Sequence, residues 1–329
     1  MRRPAVVLVA ILVAAGVVVA TIIATRPQEA VSGGTPEPGA GGELTLLVLR
    51  SNAGPFAAVV GSTGGREGAL VIPTEITLTV PGQGDATLEE ALELPGRQSA
   101  TTVANLLGVW VDHYAILGRL RLESIVDRMG GLEIAGQTRS GAEVVATLEG
   151  ARRGRTVAFQ LVLQALLRAG VTWEAEDLAE TDDVAPAVAA LQRAEDARVV
   201  GLEIIEPADG IFRAEPDAAQ QALVRTFGGP DREVVGVIVL NGSGAPGIGE
   251  LIAERIVGEG FTIVVSENAS SFDHEDTLVV VGSSGDVPLG ERVRDLLGTG
   301  SVNVSVSSGL APVTIVVGKD FGSGEDGSA

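Results

Sequence analysis

The stretch VVGVIVLNGSGAPGIGELIAERIVGEGF, residues Val234–Phe261, constrains the fold more than any other part of the chain. Val234–Leu240 is short and rich in Val and Ile, as a buried strand is. Asn241, Gly242 and Gly244 supply a tight turn. Ile248, Leu251, Ile252, Ile256 and Val257 then recur at helical spacing, and Gly258 and Gly260 stop the helix. A strand, a glycine turn and a helix in 28 residues are one unit of an α/β fold. Gly242-x-Gly244-x-x-Gly247 also has the spacing of a dinucleotide fingerprint. The remaining chain is too short for a doubly wound sheet around it, so the expectation is a turn whose glycines serve close packing.

Composition narrows the chemistry. The 329 residues contain no cysteine and two histidines, His113 and His274, which excludes thiolate chemistry and leaves little for a zinc site or a histidine-based triad. A formal net charge of −20 argues against nucleic acid as a partner.

Arg2 and Arg3 precede an uncharged run from Pro4 to Thr25. At about 1.5 Å per helical residue, residues 5–25 span about 30 Å, the thickness of a bilayer core. The apolar core of a cleaved signal peptide is shorter, about 7–15 residues. The expectation is an uncleaved signal anchor, residues 1–25, that is a transmembrane helix. Its N-terminus is cytoplasmic and the body extracytoplasmic at the cell membrane. Residues 26–42, RPQEAVSGGTPEPGAGG, read as a disordered linker.

From Glu43 onward strands and helices alternate. LTLLVLR, GPFAAVVGS and GALVIPTEITLTVPG are strands between glycine-rich turns. Thr87–Leu94 and Ser99–Leu107 are short helices, the first opened by a Thr87/Glu90 capping box. A strand at Asp112–Leu117, a helix at Leu120–Met129 closed by Gly130-Gly131, a strand at Leu132–Ala135 and an apolar helix at Arg155–Ala169 follow. Val184–Arg193 and Asp217–Thr226 read as helices and Val199–Ile205 as a strand. This pattern predicts a three-layer α/β domain over residues 43–227. Gly228-Gly229-Pro230 marks a boundary before a small α/β domain, residues 228–321, and residues 322–329 read as a flexible tail. The acidic run Glu174–Asp183 lacks an EF-hand pattern and reads as a solvated face.

Two stretches resemble known families. VIVLNGSGAPGIGELIAERIVGEGFTIV, TLVVVGSS, PLGERVRDLLG and VTIVVGKDF together resemble the LytR C-terminal domain, over Glu233–Phe321. VANLLGVWVDHYAILGRLRLESIVDRMGGLEI resembles the middle of the LytR-CpsA-Psr (LCP) domain, with Asn105, Gly108, Asp112, Tyr114, Gly130 and Gly131 at matching places. VIPTEITLTVPG is similar to that family's IPRD-type strand. SGAEVVATLEGARRGRTVAFQLVLQAL is similar to its Gly-Glu-Gln helix, arginine strand and final helix.

The resemblance implies a protein of the bacterial cell envelope and cell-wall biogenesis. The family transfers glycopolymers from polyprenyl pyrophosphate to peptidoglycan, using arginines for the pyrophosphate and carboxylates for a magnesium ion. Here the IPRD arginine and aspartate are Thr74 and Glu75, and the later arginines fall on Glu149 and Ala151. Arg155 keeps an arginine place, Ala158 replaces another, and Gln160 retains a glutamine. Under an active-enzyme reading Glu75 binds Mg2+, Arg152, Arg153 and Arg155 hold pyrophosphate and Gln160 touches ligand. The other reading needs no cofactor: a degenerate, non-catalytic LCP-like scaffold that meets cell-wall glycan or a polyprenyl-linked polymer. Val157–Leu167 either lines a lipid groove or is plain core.

Overall fold

The computed structural model describes residues 42–63, 65–151, 154–195, 197–204, 211–214, 216–229, 233–305 and 309–321. The expected anchor, the linker up to residue 41, Arg152, Arg153 and the tail after Phe321 lie outside them. Among the described residues no helix is long and apolar enough to cross a membrane.

The first half opens with β1 (Leu44–Arg50), β2 (Phe56–Ser62) and β3 (Glu67–Ile72), an antiparallel meander buried on both faces. The expected continuous strand after Ile72 is interrupted at Pro73-Thr74-Glu75. A separate hairpin, β4 (Thr77–Val80) and β5 (Gly84–Thr87), follows. Thr87 caps α1 (Leu88–Ala91) with the reciprocal Thr87/Glu90 bonds of a capping box. Next come α2 (Gly96–Leu107), β6 (His113–Gly118) and α3 (Arg119–Arg128). A hairpin of β7 (Leu132–Ile134) and β8 (Gln137–Arg139) leads to α4 (Gly141–Gly150) and α5 (Arg155–Arg168). Then β9 (Glu180–Thr181), α6 (Val184–Arg193), β10 (Arg198–Gly201) and α7 (Pro216–Phe227) close this half.

Among the described residues the main sheet has the order β10-β3-β2-β1-β6-β9, with β1/β6 and β3/β10 parallel. Side chains alternate along β1. Leu47 and Leu49 join the core beneath α3–α6, whereas Leu44, Leu46 and Val48 join the core beneath α2 and α7. This is the expected three-layer arrangement. The expected arginine strand is not a strand: Ser140 and Glu143 form a second capping box, and Glu149 sits on α4.

The second half follows β11 (Val235–Asn241), α8 (Ile248–Ile256), β12 (Phe261–Asn268), β13 (Leu278–Val281), α9 (Val287–Leu297), β14 (Ser301–Val304) and β15 (Val313–Val317). Its sheet has the order β12-β11-β15-β13-β14. The Asn241 side chain locks the glycine turn. Its Oδ1 accepts from Ser243 N (3.2 Å) and Gly244 N (3.0 Å), and its Nδ2 donates to Ala245 O (2.8 Å). Asn241 thus takes the Ser243 and Gly244 amides, so the glycines of this fingerprint serve a side-chain-locked turn.

The two halves share one core. Leu46, Val48, Leu107 and Phe227 belong to the same apolar cluster as Val237, Ile252, Phe261 and Val317. β12 is the edge of its sheet and carries an irregularity between Val237/Ile263 and Ile238/Val265. Asn105 of α2, 5% exposed, fills that edge. Its Oδ1 accepts from Ile263 N (2.6 Å), and its Nδ2 donates to Ile263 O (2.9 Å) and Thr79 O (3.3 Å). Thr79 Oγ1 donates to Val264 O (3.1 Å).

Candidate functional site

The parallel strands β1, β3 and β6 end together, and the turn from β1 to β2 lies at the same end. Ser51 shapes this turn: its Oγ donates to Gly54 O (2.7 Å) and accepts from Ala53 N (3.2 Å). Arg155, the first residue of α5, lies against it. Nη2 donates to Pro55 O (3.1 Å) and the guanidinium lies 4.8 Å from the centre of the Phe56 ring. Phe56 in turn packs on Phe159, with ring centroids 5.2 Å apart. Arg155 Nε is buried without a hydrogen-bond partner among the described residues.

Gly54 has φ +100°, and a Cβ there would lie 2.6 Å from Glu89 Oε1 and 3.0 Å from Arg155 Nη2. Glycine is needed because the backbone passes between a carboxylate and a guanidinium. Glu89 is held there by its own N–H, which donates to Thr74 O (2.8 Å). Beyond the turn, Glu149 Oε1 accepts from Asn52 N (3.0 Å) and lies 3.6 Å from Arg119 Nη1. Arg119 also pairs with Glu123 at 3.3 Å. The ends of the strands thus carry a mixed lattice in which Arg119 meets Glu123 and Glu149 and Arg155 meets Pro55 O and the Phe56 ring, with Arg50 exposed at the end of β1.

Of the sequence-predicted residues that are described, Arg155 and Glu75 stand at one end of the sheet and Gln160 lies further along α5. Glu75 is exposed in the β3–β4 loop at the same end of the sheet. Gln160 is further along α5, where its Nε2 donates to Val199 O (3.2 Å). Gln164 repeats the contact one turn on, donating to Ala197 O (3.1 Å) and accepting from Val199 N (3.2 Å). Both glutamines fasten α5 to β10. Glu89 and Arg119 were missed by sequence reasoning. Arg119 was accessible to it, because a residue directly after β6 must lie at the carboxyl end of the sheet.

Among the described residues no group of three or more His, Cys, Asp or Glu gathers to hold a metal ion. Glu149 is engaged by Asn52 and Arg119, and no second acid gathers with the exposed Glu75 among the described residues, so these carboxylates do not form the oxygen-rich set that magnesium takes. The apolar helix α5 buries Phe159, Val162, Leu163, Leu166 and Leu167 as core, while Val157 and Leu161 are 58% and 55% exposed one turn apart.

The residues that carry the LCP resemblance do architectural work. Asp112 Oδ2 accepts from Leu44 N (2.8 Å), Gly108 caps α2 at φ +66°, and Gly130 and Gly131 close α3 at φ +84° and +111°. The Tyr114 ring lies so close to Gly96 that a Cβ there would come within 2.1 Å of it. Burial, and then the nearby Glu180 and Asp182 carboxylates, push the Tyr114 hydroxyl above its ordinary pKa. In the second half, the terminal VGKDF motif is a clamp. Thr277 Oγ1 and Thr299 Oγ1 donate to Asp320 (2.6 and 2.7 Å), tying the chain end to β13 and to the turn after α9.

Residues 234–321 match the family model LytR_C, described as LytR cell envelope-related transcriptional attenuator. Several solved structures are similar. A transcriptional regulator from Enterococcus faecalis is 16% identical, over 58% of this chain and 89% of that one, with a TM-score of 0.46. The LytR-CPS2A-psr family protein YwtF (TagT), solved with bound octaprenyl pyrophosphate lipid, is 18% identical over 59% and 93%, with a TM-score of 0.44. A LytR-Csp2A-Psr enzyme from Actinomyces oris is 18% identical over 59% and 92%, with a TM-score of 0.46. No curated protein sequence matches. Residues 234–321 are thus matched by the model of the LytR C-terminal domain that their sequence resembles.

Proposed function

We propose that this chain is a membrane-anchored cell-envelope protein, held by residues 5–25, whose first domain is a non-catalytic LCP-like binding or scaffold module in cell-wall glycopolymer assembly. The observation that carries the reading is Glu149: a carboxylate, fixed by Asn52 N at 3.0 Å, stands where the resemblance expects an arginine. An unpaired unit charge at about 4 Å repels another by about 4 kcal/mol at an effective dielectric of about 20; Arg119, 3.6 Å from Glu149, offsets part of this, so what the site has lost is the arginine's attraction. Arg155, whose Nη2 donates to Pro55 O and whose guanidinium lies over the Phe56 ring, is the one described arginine that stays at a place where the resemblance expects one.

A second reading, a divergent magnesium-dependent transferase acting on polyprenyl pyrophosphate-linked polymer, is favoured by one observation: Arg119 and Arg155 stand at the same end of the sheet. Turnover of a prenyl pyrophosphate by the purified chain with magnesium separates the two. The scaffold reading expects none. Turnover that disappears in Arg155→Ala overturns it.

A further inference from the structure

At the seam between the two halves lies a cleft of about 610 Å³, within the usual range of about 300–1,000 Å³ for small-molecule sites. One wall is the tip of the β4–β5 hairpin, with Gln83 between two glycines. The other is the loop leading into α8 and the end of β12, with Phe272 at the rim. The walls are set at backbone contact. A Cβ on Gly249 would lie 2.1 Å from Gly82 N, and Gly82 N donates to Ser266 Oγ (2.7 Å).

The chemistry of the lining is selective. Among the described lining residues there is no lysine or arginine, and Glu267 contributes a carboxylate. The chain as a whole carries a net charge of −20. A phosphate or pyrophosphate entering would meet the Glu267 carboxylate without a lysine or arginine beside it, and two of the turn amides, Ser243 N and Gly244 N, are already taken by Asn241 Oδ1. The uncommitted polar groups are the exposed amides of Gln83 and Asn268, which make no side-chain hydrogen bond among the described residues. Each amide offers both donors and an acceptor, the complement of a hydroxyl, which is also both. Phe272 is 48% exposed beside them. Its ring lies over Gly244, where a Cβ would come within 3.2 Å of Phe272 Cβ and Cγ, so a side chain there would displace it. An uncovered aromatic ring next to planar amides and an acid presents one apolar surface and a set of neutral hydrogen-bonding groups.

The geometry points to this cleft as a binding site for an uncharged pyranose oligomer, with the sugar's C–H face on Phe272 and its hydroxyls on Gln83, Asn268 and Glu267. The choice of wall glycan as the natural source rests on the scaffold reading above; the choice of a neutral sugar rests on the lining alone.

The test is calorimetric titration of the full chain in detergent micelles with a neutral β-1,4-linked N-acetylglucosamine tetramer, and separately with inorganic pyrophosphate. The expected result is binding of the tetramer only. Phe272→Ala is expected to weaken it about three- to tenfold, the size of an aromatic contact, while Phe272→Tyr retains it. Asn268→Ala weakens it, and Glu133→Ala, on the distant β7–β8 hairpin, leaves it unchanged. Absence of tetramer binding by the folded chain, equal binding by folded Phe272→Ala and Asn268→Ala, or preferential binding of pyrophosphate overturns the assignment. Turnover in the prenyl pyrophosphate assay would remove the scaffold reading without altering this titration, so the two can fail separately.

Discussion

Asn105→Ala should loosen both halves of the molecule at once. The side chain is 5% exposed and satisfies Ile263 N and Ile263 O together, at 2.6 and 2.9 Å, on a residue that is itself 2% exposed. Alanine leaves both backbone groups buried without partners. Each such group costs about 1–3 kcal/mol, so the variant should lose about 2–4 kcal/mol after partial hydration of the gap. For a domain of this size that corresponds to a Tm lower by about 5–10 °C. Because the apolar cluster runs through both halves, the wild type should unfold in a single calorimetric transition, and the variant in one transition shifted down. Hydrogen exchange at the Ile263 amide should accelerate. Asn105→Asp keeps the acceptor for Ile263 N but turns a carboxylate oxygen toward Ile263 O, so it should be comparably unstable at neutral pH and recover partly on acidification. A Tm of Asn105→Ala within about 1 °C of wild type, or two independent wild-type transitions, would refute the shared core and the role of this side chain.

Other expectations follow from single contacts. Gly249→Ala drives a Cβ against Gly82 N, a backbone atom that cannot rotate away, and should cost about 1–3 kcal/mol in urea unfolding with faster proteolysis of the β4–β5 hairpin. Thr87→Ala removes a capping box and should cost about 1 kcal/mol, read as a lower urea midpoint. Asp320 is pulled toward a higher pKa by burial, but hydrogen bonds from Thr277 and Thr299 outweigh this and hold it below the ordinary aspartate value. The unfolded chain therefore takes up this proton first on acidification, and stability falls as pH drops through and below that ordinary value. Asp320→Asn should lose less stability over the same acid range, measured by denaturant unfolding.

Local signals made much of the fold legible. Val184–Arg193 was bounded to the residue, because Asp183 caps one end and the helical spacing stops at the other. The Thr87 capping box and the VLNG turn were equally plain. The stretch after Ser140 was not. The strand expected there came from the resemblance alone, whereas tertiary packing of Val144, Val145 and Leu148 extends α4 to Gly150. The mouth at Arg155 was half legible: Arg155, Glu75 and Glu149 were singled out, but not that Glu149 would reach Asn52. That contact spans 97 residues and depends on how α4 packs beneath the sheet. Nor does periodicity indicate that Asn105 would serve β12, since a polar residue on an amphipathic helix gives no sign of which backbone it will meet.

The weld at Gly82, Asn105 and Gly249 also decides how the cleft beside it can work. Two lobes joined through one core are held by packing on both sides of the cleft, which favours a slot of set width over a jaw that clamps shut. Such a slot selects by fit, and little ordering of the protein then has to accompany capture.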